Sequence, residues 1–328
     1  MTIKIIHILH HSPYWTSRKE EVEDILDGWH VRTAKAIQKL NINSCNIECW
    51  LPNKKQSKII SFEKDNITYR IFPSFAFSYG REFSPLMINV LKSENRNKIL
   101  IHLHGIFNYL TYYIAYRFAD KPIIAQHHGD CPSLYLLARR KLLYCISPFL
   151  ISEYFLNSHT LRNIDYFFCL TKYSQNILHK LGIKNKSCVQ TMGVDFNKFY
   201  PPINKTEVKK QLNIQKDKKV ILYVGQLNQY KGSNKVIEAF NQLKKKYMIE
   251  CLMVGVNESD RYYSYAKNND VKLYNRQPHQ SLIKFYQAAD VLVFPASDNF
   301  IKWGGLGVNV MESLACNVPV VSATLIHF

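Results

Sequence analysis

The residues best suited to chemistry lie in segment 291–321, near the end of the 328-residue chain. An apolar run there predicts a buried strand, and a polar loop follows it. Gly304, Gly305 and Gly307 then lead into a helical pattern with apolar residues at Val308, Met311, Leu314 and Ala315. A glycine-rich loop before a helix exposes backbone N–H groups, and the helix dipole adds positive potential. Glu312 lies about two turns into the helix, where its carboxylate can accept hydrogen bonds from ribose hydroxyls. The segment predicts a diphosphate site, although any strand, loop and helix of an α/β protein can have this pattern.

A second candidate loop, 225–232, follows the first predicted strand of the second half of the chain. It contains Gly225, Gln226 and Lys231 and ends at Gly232. An ammonium group beside a helix amino terminus can neutralise a diphosphate and stabilise negative charge on a leaving nucleotide. The structural alternative for Lys231 is a solvated loop lysine.

Histidines follow several predicted strands of the first half. They are His10, His11, His102, His104, His127 and His128. The carboxyl ends of parallel strands share one edge of a sheet, so we expect these side chains to meet there. Imidazoles from neighbouring strands can bind zinc or iron, or they can hydrogen bond to a sugar and its phosphate. We favour the second interpretation because no Asp or Glu stands at a recognised ligand spacing, and for most of these histidines a structural role is more common.

Gly28 and Trp29 end the loop after the first predicted strand. Gly28 allows a ligand to approach the backbone closely, and it precedes a helical pattern with an apolar stripe of Val31, Ala34, Ile37 and Leu40. Trp29 offers a flat apolar face against which a sugar ring or an acceptor can stack, and packing within the fold explains it equally well.

Strands alternate with helices along the whole chain. Apolar runs predict strands at 3–9, 45–51, 58–62, 67–72, 98–102, 122–126, 166–170 and 187–191, and again at 220–224, 250–254, 271–274, 291–294 and 318–321. Residues 63–66 between two of these strands predict a hairpin, and Thr171 predicts the cap of a helix that runs to Leu181. This alternation is typical of parallel, doubly wound sheets with helices on both faces. A proline-containing linker at 199–202 places a domain boundary between residues 196 and 197.

Charge and composition restrict the class of protein. The chain has 43 Lys and Arg against 25 Asp and Glu, a formal charge of +18, which suggests an anionic partner surface or reflects a lysine-rich composition alone. Segment 134–161 is mostly helical in pattern, and its basic residues 139–141 suit either an anionic membrane surface or one solvated turn of a buried helix. The eight cysteines are scattered through apolar runs and suggest reduced thiols in a cytoplasmic protein.

Several functional classes lack their sequence signals. The amino-terminal apolar run has no cleavage site and predicts a strand, and we expect no signal peptide and no transmembrane anchor. The chain has no Asp-x-Asp triplet, P-loop or HExxH motif, and Gly305-Leu306-Gly307 alone is a weak dinucleotide signal. Basic residues are not interleaved with aromatic ones in a recognised motif, so we expect no nucleic-acid partner.

These segments resemble the family 4 retaining glycosyltransferases, enzymes of the GT-B fold. In that family two glutamates separated by seven residues flank the glycines; Glu312 matches the second, and Gly304 stands in place of the first. Asp298 or Lys302 could replace the missing carboxylate contact. The resemblance also matches Lys231 to a family lysine and His128 to a donor-contacting histidine.

The family carries an arginine where this chain has Gln226, and Arg276 could replace that cation. A glycine pair is common where this chain has Gly28 followed by Trp29. The resemblance thus implies His128 and Lys231 as catalytic residues and no metal ligand. It implies as donor-binding residues Gly28, Gln226, Lys231, Arg276, Gly305, Leu306, Gly307 and Glu312.

From the resemblance we expect two Rossmann-like domains facing a cleft, 1–196 on the acceptor side and 197–328 on the nucleotide-sugar side. The implied reaction transfers a hexose from a nucleotide diphosphate sugar to a hydroxyl of a glycan or lipid-linked acceptor with retention, without a separate cofactor. The implied location is cytoplasmic, with a peripheral membrane contact left open. Family members usually continue with a crossover helix, so we expect a truncated or diverged member. A silent nucleotide-sugar-binding protein and a metal enzyme using the histidines remain alternatives.

Overall fold

The structure is a computed structural model that describes residues 2–11, 26, 28–40, 45–78, 81–130 and 159–322. These residues belong to two compact units, Met1–Gln190 and Thr191–Phe328. The division falls slightly earlier than the boundary at 196 expected from the linker.

The first unit contains a largely parallel sheet. Its strands are β1 (Ile3–Leu9), β2 (Cys45–Asn53), β3 (Ile60–Lys64), β4 (Ile67–Pro73), β5 (Phe75–Ser78), β6 (Arg81–Phe83), β7 (Ile99–His104), β8 (Ile123–Gln126), β9 (Tyr166–Cys169) and β10 (Ser187–Val189). The described helices are α1 (Trp29–Lys39), α2 (Pro85–Ser93), α3 (Tyr109–Arg117) and α4 (Lys172–Lys180). The eight-stranded sheet has the order β10-β9-β8-β7-β1-β2-β4-β3, while β5 and β6 pair separately.

Local sequence signals explain several of these elements. Asp65 and Asn66 have positive φ, which suits a tight two-residue turn, and β3 pairs antiparallel with β4 as the predicted hairpin requires. Thr171 accepts a hydrogen bond from Ser174 N, and the reciprocal bond completes a capping box at the start of α4. The predicted caps and turns therefore form where the sequence places them.

The second unit is a smaller parallel sheet. Its strands are β11 (Lys219–Val224), β12 (Ile249–Val256), β13 (Lys272–Asn275), β14 (Val291–Phe294) and β15 (Val320–Ser322). Its helices are α5 (Lys205–Gln211), α6 (Ser233–Leu243), α7 (Tyr263–Lys267), α8 (Ile283–Ala288), α9 (Asp298–Gly304) and α10 (Val308–Ala315). The strand order is β13-β12-β11-β14-β15, so the order reverses between β11 and β14. In doubly wound sheets such a switch point opens a crevice for ligands at the carboxyl ends of the strands.

Two apolar layers cover the faces of this second sheet. Leu222 and Leu252 belong to one buried cluster, whereas their neighbours Tyr223 and Met253 belong to the other. Successive side chains of a strand point to opposite faces, so this division places helices on both sides of the sheet. The doubly wound architecture predicted from the sequence is confirmed.

Two local predictions in segment 291–321 are wrong. The expected polar loop after β14 contains the helix α9, because Ile301 and Trp303 bury their side chains and Ser297 caps its start. In α10 the expected apolar stripe included Leu314, but Leu314 is 55% exposed. The buried side of α10 carries Val310 and Ser313 instead.

Some predictions fall outside the described residues. These are the basic segment 139–141 with most of 134–161, two of the cysteines, and the end of the chain after residue 322. The six described cysteines are free thiols. Within the described ranges, every helix is too short or too polar to cross a bilayer.

Candidate functional site

The loop after β11 brings Lys231 to the switch point of the second sheet. Gly225 follows β11 with φ at +144°, and a methyl group on its Cα would lie 3.3 Å from Lys231 Nζ. The ammonium group therefore lies over the carboxyl end of β11. Asn228 holds the loop in shape, because its Oδ1 accepts a hydrogen bond of 2.9 Å from Lys231 N.

Gly232 allows this loop to pass close to β14. Its φ of +68° is left-handed, and a Cβ at this position would overlap the carbonyl oxygen of Pro295. The residue is also the N-cap of α6. Only glycine adopts this conformation in this space without strain, so the close approach of the two loops depends on it.

The amino terminus of α10 lies at the same end of β11. Asn309 Nδ2 donates a hydrogen bond of 3.1 Å to the carbonyl oxygen of Val224, the last residue of β11. Gly307 is the N-cap of α10, and a Cβ at this position would meet the Asn309 side chain and the Phe294 ring. The unpaired N–H groups of this helix start thus lie near the loop that carries Lys231, where an anion is favoured. Sequence reasoning missed Asn309, whose position at the start of a helix was its only signal.

The glycines before α10 have separate structural roles. Gly304 ends α9 beside the Phe300 ring, and Gly305 has φ at +63° and donates its N–H to Ile301 O at 2.9 Å. Leu306 packs against the core of the second unit. The three glycines therefore do not form one continuous loop. Gly304 belongs to the short helix α9, and Gly305 and Gly307 connect α9 to α10.

Glu312 is the fifth residue of α10, closer to the helix start than expected, and is 3% exposed. Tyr286 OH donates a hydrogen bond to its Oε2, and His279 Nε2 lies at hydrogen-bond distance from its Oε1, both at 2.6 Å. Burial and the Glu312 charge raise the pKa of Tyr286 well above its usual value. Each carboxylate oxygen can accept a second hydrogen bond, so a ligand would share Glu312 with these side chains.

The remaining predicted residues of the second unit lie in segments that follow the carboxyl ends of the strands. Gln226 is exposed, and its backbone oxygen accepts a hydrogen bond of 2.8 Å from Tyr223 OH. Arg276 is exposed in the loop after β13. Asp298 is exposed in the first turn of α9, and Lys302 is half-buried in its last turn.

The first unit gathers histidines at its own switch point, where β1 lies next to β7. His104 links two others: its Nε2 lies 3.0 Å from His7 Nδ1, and its Nδ1 lies 2.9 Å from His128 Nε2. His102 and His30 are buried beside them. We call His7, His30, His102, His104 and His128 the histidine cluster.

This cluster differs from the expected open edge of histidines. His102 and His104 are buried against a face of the sheet and are not exposed at its edge. His127 is also buried, and it donates its Nε2–H to Asp130 O at 2.6 Å. Sequence reasoning missed His7 and His30. The alternation of side chains along β1 was the available signal for His7, since it selects the face of the sheet.

His128 and Trp29 stack on each other at the surface of the cluster. Their ring centroids lie 5.0 Å apart with an interplanar angle of 14°. Trp29 is 41% exposed, and Gly28 is the N-cap of the helix that carries it. The ring therefore packs within the fold on one face and leaves part of its surface available.

The loops around the cluster are held by Asp130. Its Oδ2 accepts hydrogen bonds from the backbone N–H groups of Ile106, at 2.8 Å, and Phe107. Burial alone would raise the pKa of Asp130, but nearby His127 and His10 and the Phe107 N–H lower it. His10 Nδ1–H donates to His104 O at 2.6 Å. The sequence had not singled out Asp130.

Burial keeps the histidines of the cluster neutral. It lowers the pKa of His128 to about 3, of His30 to about 3 and of His102 to about 4. The pKa values of His7 and His104 also lie well below the usual value, because burial and neighbouring imidazoles both disfavour the charged form. Neutral imidazoles can donate one hydrogen bond, accept another or bind a metal.

Comparison with known proteins identifies the second unit. Residues 204–326 match the family model of glycosyl transferases group 1. D-inositol 3-phosphate glycosyltransferase of Corynebacterium aurimucosum is 30% identical over 151 residues, which are 42% of this chain and 35% of that protein. The capsular polysaccharide biosynthesis glycosyltransferase CapM of Staphylococcus aureus is 30% identical over 180 residues, 48% of this chain and 44% of CapM. The matches thus span about a third to under a half of these relatives.

Solved structures resemble both units. Sucrose-phosphate synthase from Thermosynechococcus elongatus has a TM-score of 0.69 and 16% identity over 98% of this chain and 81% of that one. Anabaena HepE in complex with UDP has a TM-score of 0.63 and 16% identity, with the same coverage. At this identity the likeness establishes the fold, which is the GT-B fold expected from the sequence. Residues 204–326 therefore resemble the glycosyl transferases group 1 family, and the chain has the fold of these solved structures.

Proposed function

We propose that this chain is a glycosyltransferase that moves a hexose from a nucleotide diphosphate sugar to a hydroxyl group with retention of configuration. The observation that carries the proposal is the position of Lys231. Its ammonium group lies over Gly225 at the sheet switch point, and Asn309 ties the start of α10 to the same strand end. The family match of residues 204–326 covers these residues.

The second unit would bind the donor through its diphosphate. Lys231 and the N–H groups at the start of α10 supply the positive charge and hydrogen-bond donors that a diphosphate needs. Gly305, Leu306 and Gly307 bring the backbone close to it, and Gln226 and Arg276 line the strand-end loops. Glu312 would accept a hydrogen bond from a ribose hydroxyl, because Tyr286 and His279 leave lone pairs of its carboxylate available.

The chemistry would depend on stabilising the leaving group. As the bond between the sugar C1 and the diphosphate oxygen breaks, negative charge grows on the diphosphate, and Lys231 stabilises it. A bond forms between C1 and the acceptor oxygen on the same face, and the acceptor proton passes to the departing phosphate oxygen. This route needs no protein base. In the first unit, the exposed part of Trp29 offers a face on which a sugar can stack, beside His128.

The acceptor class follows from the relatives in the family. Their names include glycosyltransferases of capsular polysaccharide and lipopolysaccharide core biosynthesis and a phosphatidylinositol monomannoside mannosyltransferase. We therefore propose a glycan or a lipid-linked glycan as the acceptor. A contact with an anionic membrane surface is part of the proposal, on the basis of the +18 formal charge.

Lys231→Ala tests the donor site. We expect it to abolish most of the melting-temperature rise produced by the correct nucleotide sugar and to lower the rate of sugar transfer or donor hydrolysis by about 10²–10³-fold. Wild type is first screened against UDP, GDP and ADP sugars by thermal shift and by release of the nucleoside diphosphate. The matched control is Lys245→Ala, which removes an exposed lysine of the same unit.

The outcomes separate the alternatives. Equal donor binding and turnover in the Lys231 and Lys245 variants would contradict the assigned role of Lys231. A donor that raises the melting temperature of wild type without transfer or hydrolysis would indicate a silent nucleotide-sugar-binding protein, a reading favoured by Gly304 at the position of a family glutamate.

A further inference from the structure

Three histidines of the cluster share one face of two adjacent strands. The parallel register pairs His7 of β1 with His102 of β7 and Leu9 with His104. His102 and His104 are two residues apart, so their side chains lie on the same face as that of His7. Their side chains are nearly inaccessible to solvent, at 0%, 4% and 1% exposure for His7, His102 and His104. The fold thus places three imidazoles together in its interior.

The spacing of their nitrogens suits a metal ion. One ring nitrogen from each of His7, His102 and His104 lies within 4.8 Å of the other two. The facing pair, His7 Nδ1 and His104 Nε2, is 3.0 Å apart. A tetrahedral zinc ion with Zn–N bonds of about 2.0–2.1 Å separates its ligand nitrogens by about 3.4 Å. To admit an ion, this pair needs to open by a few tenths of an ångström, and a nitrogen at the outer limit of 4.8 Å needs to move closer by about 1.4 Å.

Several nitrogens of the cluster are buried without a hydrogen-bond partner among the described residues. Among them are both ring nitrogens of His102 and both ring nitrogens of His30. Buried polar atoms in native proteins are nearly always satisfied, so a group of unsatisfied nitrogens in one place indicates that something else is bound there. The His102 ring is tilted against both other rings, with its centroid 4.8 Å from that of His7 and 4.3 Å from that of His104.

The hydrogen bond of His104 also fits metal binding, because a metal-binding histidine uses one ring nitrogen for the ion and donates the other N–H to a neighbour. With its proton on Nδ1, His104 donates to His128 Nε2 at 2.9 Å and turns its Nε2 lone pair toward His7. Such an outer hydrogen bond orients metal-binding histidines in known sites.

We propose that His7, His102 and His104 form a buried zinc site that joins β1 to β7 at the switch point of the first unit. In the bound form His7 carries its proton on Nε2, so that Nδ1 faces the ion opposite His104 Nε2. His30, whose ring centroid lies 6.0 Å from that of His104, or a water molecule completes the tetrahedron. Because its ligands are nitrogens alone, the site selects against Mg²⁺ and Ca²⁺. Its burial assigns it a structural role, independent of sugar transfer.

Metal analysis of the purified full chain tests the site. The protein should carry an affinity tag without histidines. We expect about one zinc per chain after purification, removal by a strong chelator with a fall in melting temperature, and recovery when Zn²⁺ is added. Co²⁺ in place of Zn²⁺ should produce the visible absorption bands of a tetrahedral nitrogen site. Mg²⁺ or Ca²⁺ added to the metal-free protein should neither restore the melting temperature nor produce these absorption bands.

Variants locate the ion. His102→Leu and His7→Leu should each lose the zinc and the Co²⁺ bands, while His179→Gln, which changes a histidine of the same unit outside the cluster, should retain both. Circular dichroism checks that each variant is folded. Wild-type protein that carries no zinc and has no affinity tighter than about 10 μM overturns the proposal without any variant. Full zinc binding by a folded His7→Leu/His102→Leu double variant overturns it as well.

Discussion

Gly232 is the residue on which the shape of the Lys231 loop depends. Its backbone is left-handed, and the carbonyl oxygen of Pro295 occupies the space that a side chain would need. A residue with a Cβ has to shift the backbone of one loop or the other. The position of the Lys231 ammonium group and the start of α6 would shift with it.

We therefore predict that Gly232→Ala lowers the free energy of unfolding by about 2–4 kcal/mol, since left-handed strain and overpacking add. Urea denaturation measures the change. Gly193→Ala is the control, because Gly193 has no other atom within 4 Å of the position a Cβ would take. A Gly232 variant as stable as the Gly193 variant would mean that the Pro295 loop can move at little cost.

The buried carboxylate of Glu312 depends on a hydrogen bond from Tyr286. The carboxylate is buried on α10, and the Tyr286 hydroxyl is the donor to one of its oxygens at 2.6 Å. A buried carboxylate that loses a donor keeps its desolvation cost. The Tyr286 hydroxyl therefore stabilises the fold and also orients the Glu312 carboxylate, which we propose as the ribose contact.

Tyr286→Phe should destabilise the protein by about 1–3 kcal/mol, measured by thermal or urea unfolding, because it removes this donor and keeps the ring. Tyr265→Phe is the matched control, since that side chain is exposed, and we expect a change within about 0.5 kcal/mol. Similar small effects of both substitutions would indicate that water or His279 satisfies Glu312 instead.

At the scale of elements, Asp290 joins a helix to the central strand of the second sheet. Its carboxylate pairs with Lys205 of α5 at 2.9 Å and accepts a hydrogen bond from Val220 N of β11 at 2.8 Å. Burial opposes ionisation, but these hydrogen bonds and the charges of Lys205 and Lys209 outweigh it and lower the pKa of Asp290. The residue thus links α5, β11 and the segment that precedes β14.

This lowered pKa fixes the sign of a pH dependence. A carboxyl group whose pKa is lower in the folded state stabilises the protein above its unfolded pKa of about 3.9, and that contribution is lost as the pH falls through the folded pKa. We predict that Asp290→Asn lowers stability most at neutral pH and that its difference from wild type shrinks below about pH 4. Unfolding at several pH values measures this. Asp217→Asn, at an exposed position, should have no such profile, and a constant Asp290→Asn difference across the range would contradict the argument.

At the scale of the whole molecule, the two units share an architecture but place different chemistry at their switch points. In the second unit the crevice contains Lys231, Gly225 and the start of α10, which suit an anion. In the first unit β1 and β7 bring neutral histidines together in the interior. The same backbone arrangement therefore carries the proposed donor site in one sheet and the proposed metal site in the other.

The sequence alone determined the alternation of strands and helices, the two parallel sheets, the Thr171 cap and the hairpin turn at Asp65 and Asn66. Those features depend on hydrophobic period and on turn and cap chemistry, which act between near neighbours in the chain. The resemblance in segments 225–232 and 295–319 likewise pointed to glycosyltransferases, and a glycosyl transferases group 1 model matches residues 204–326.

Only the tertiary structure decided which side chains meet. The register between β1 and β7 places His7 beside His102, and the packing of α10 and α8 brings Tyr286 to Glu312. The sequence predicts a polar loop after β14. The burial of Trp303 is one reason why this segment forms the helix α9 instead. These outcomes depend on contacts between residues far apart in the chain, and local periodicity carries no information about such contacts.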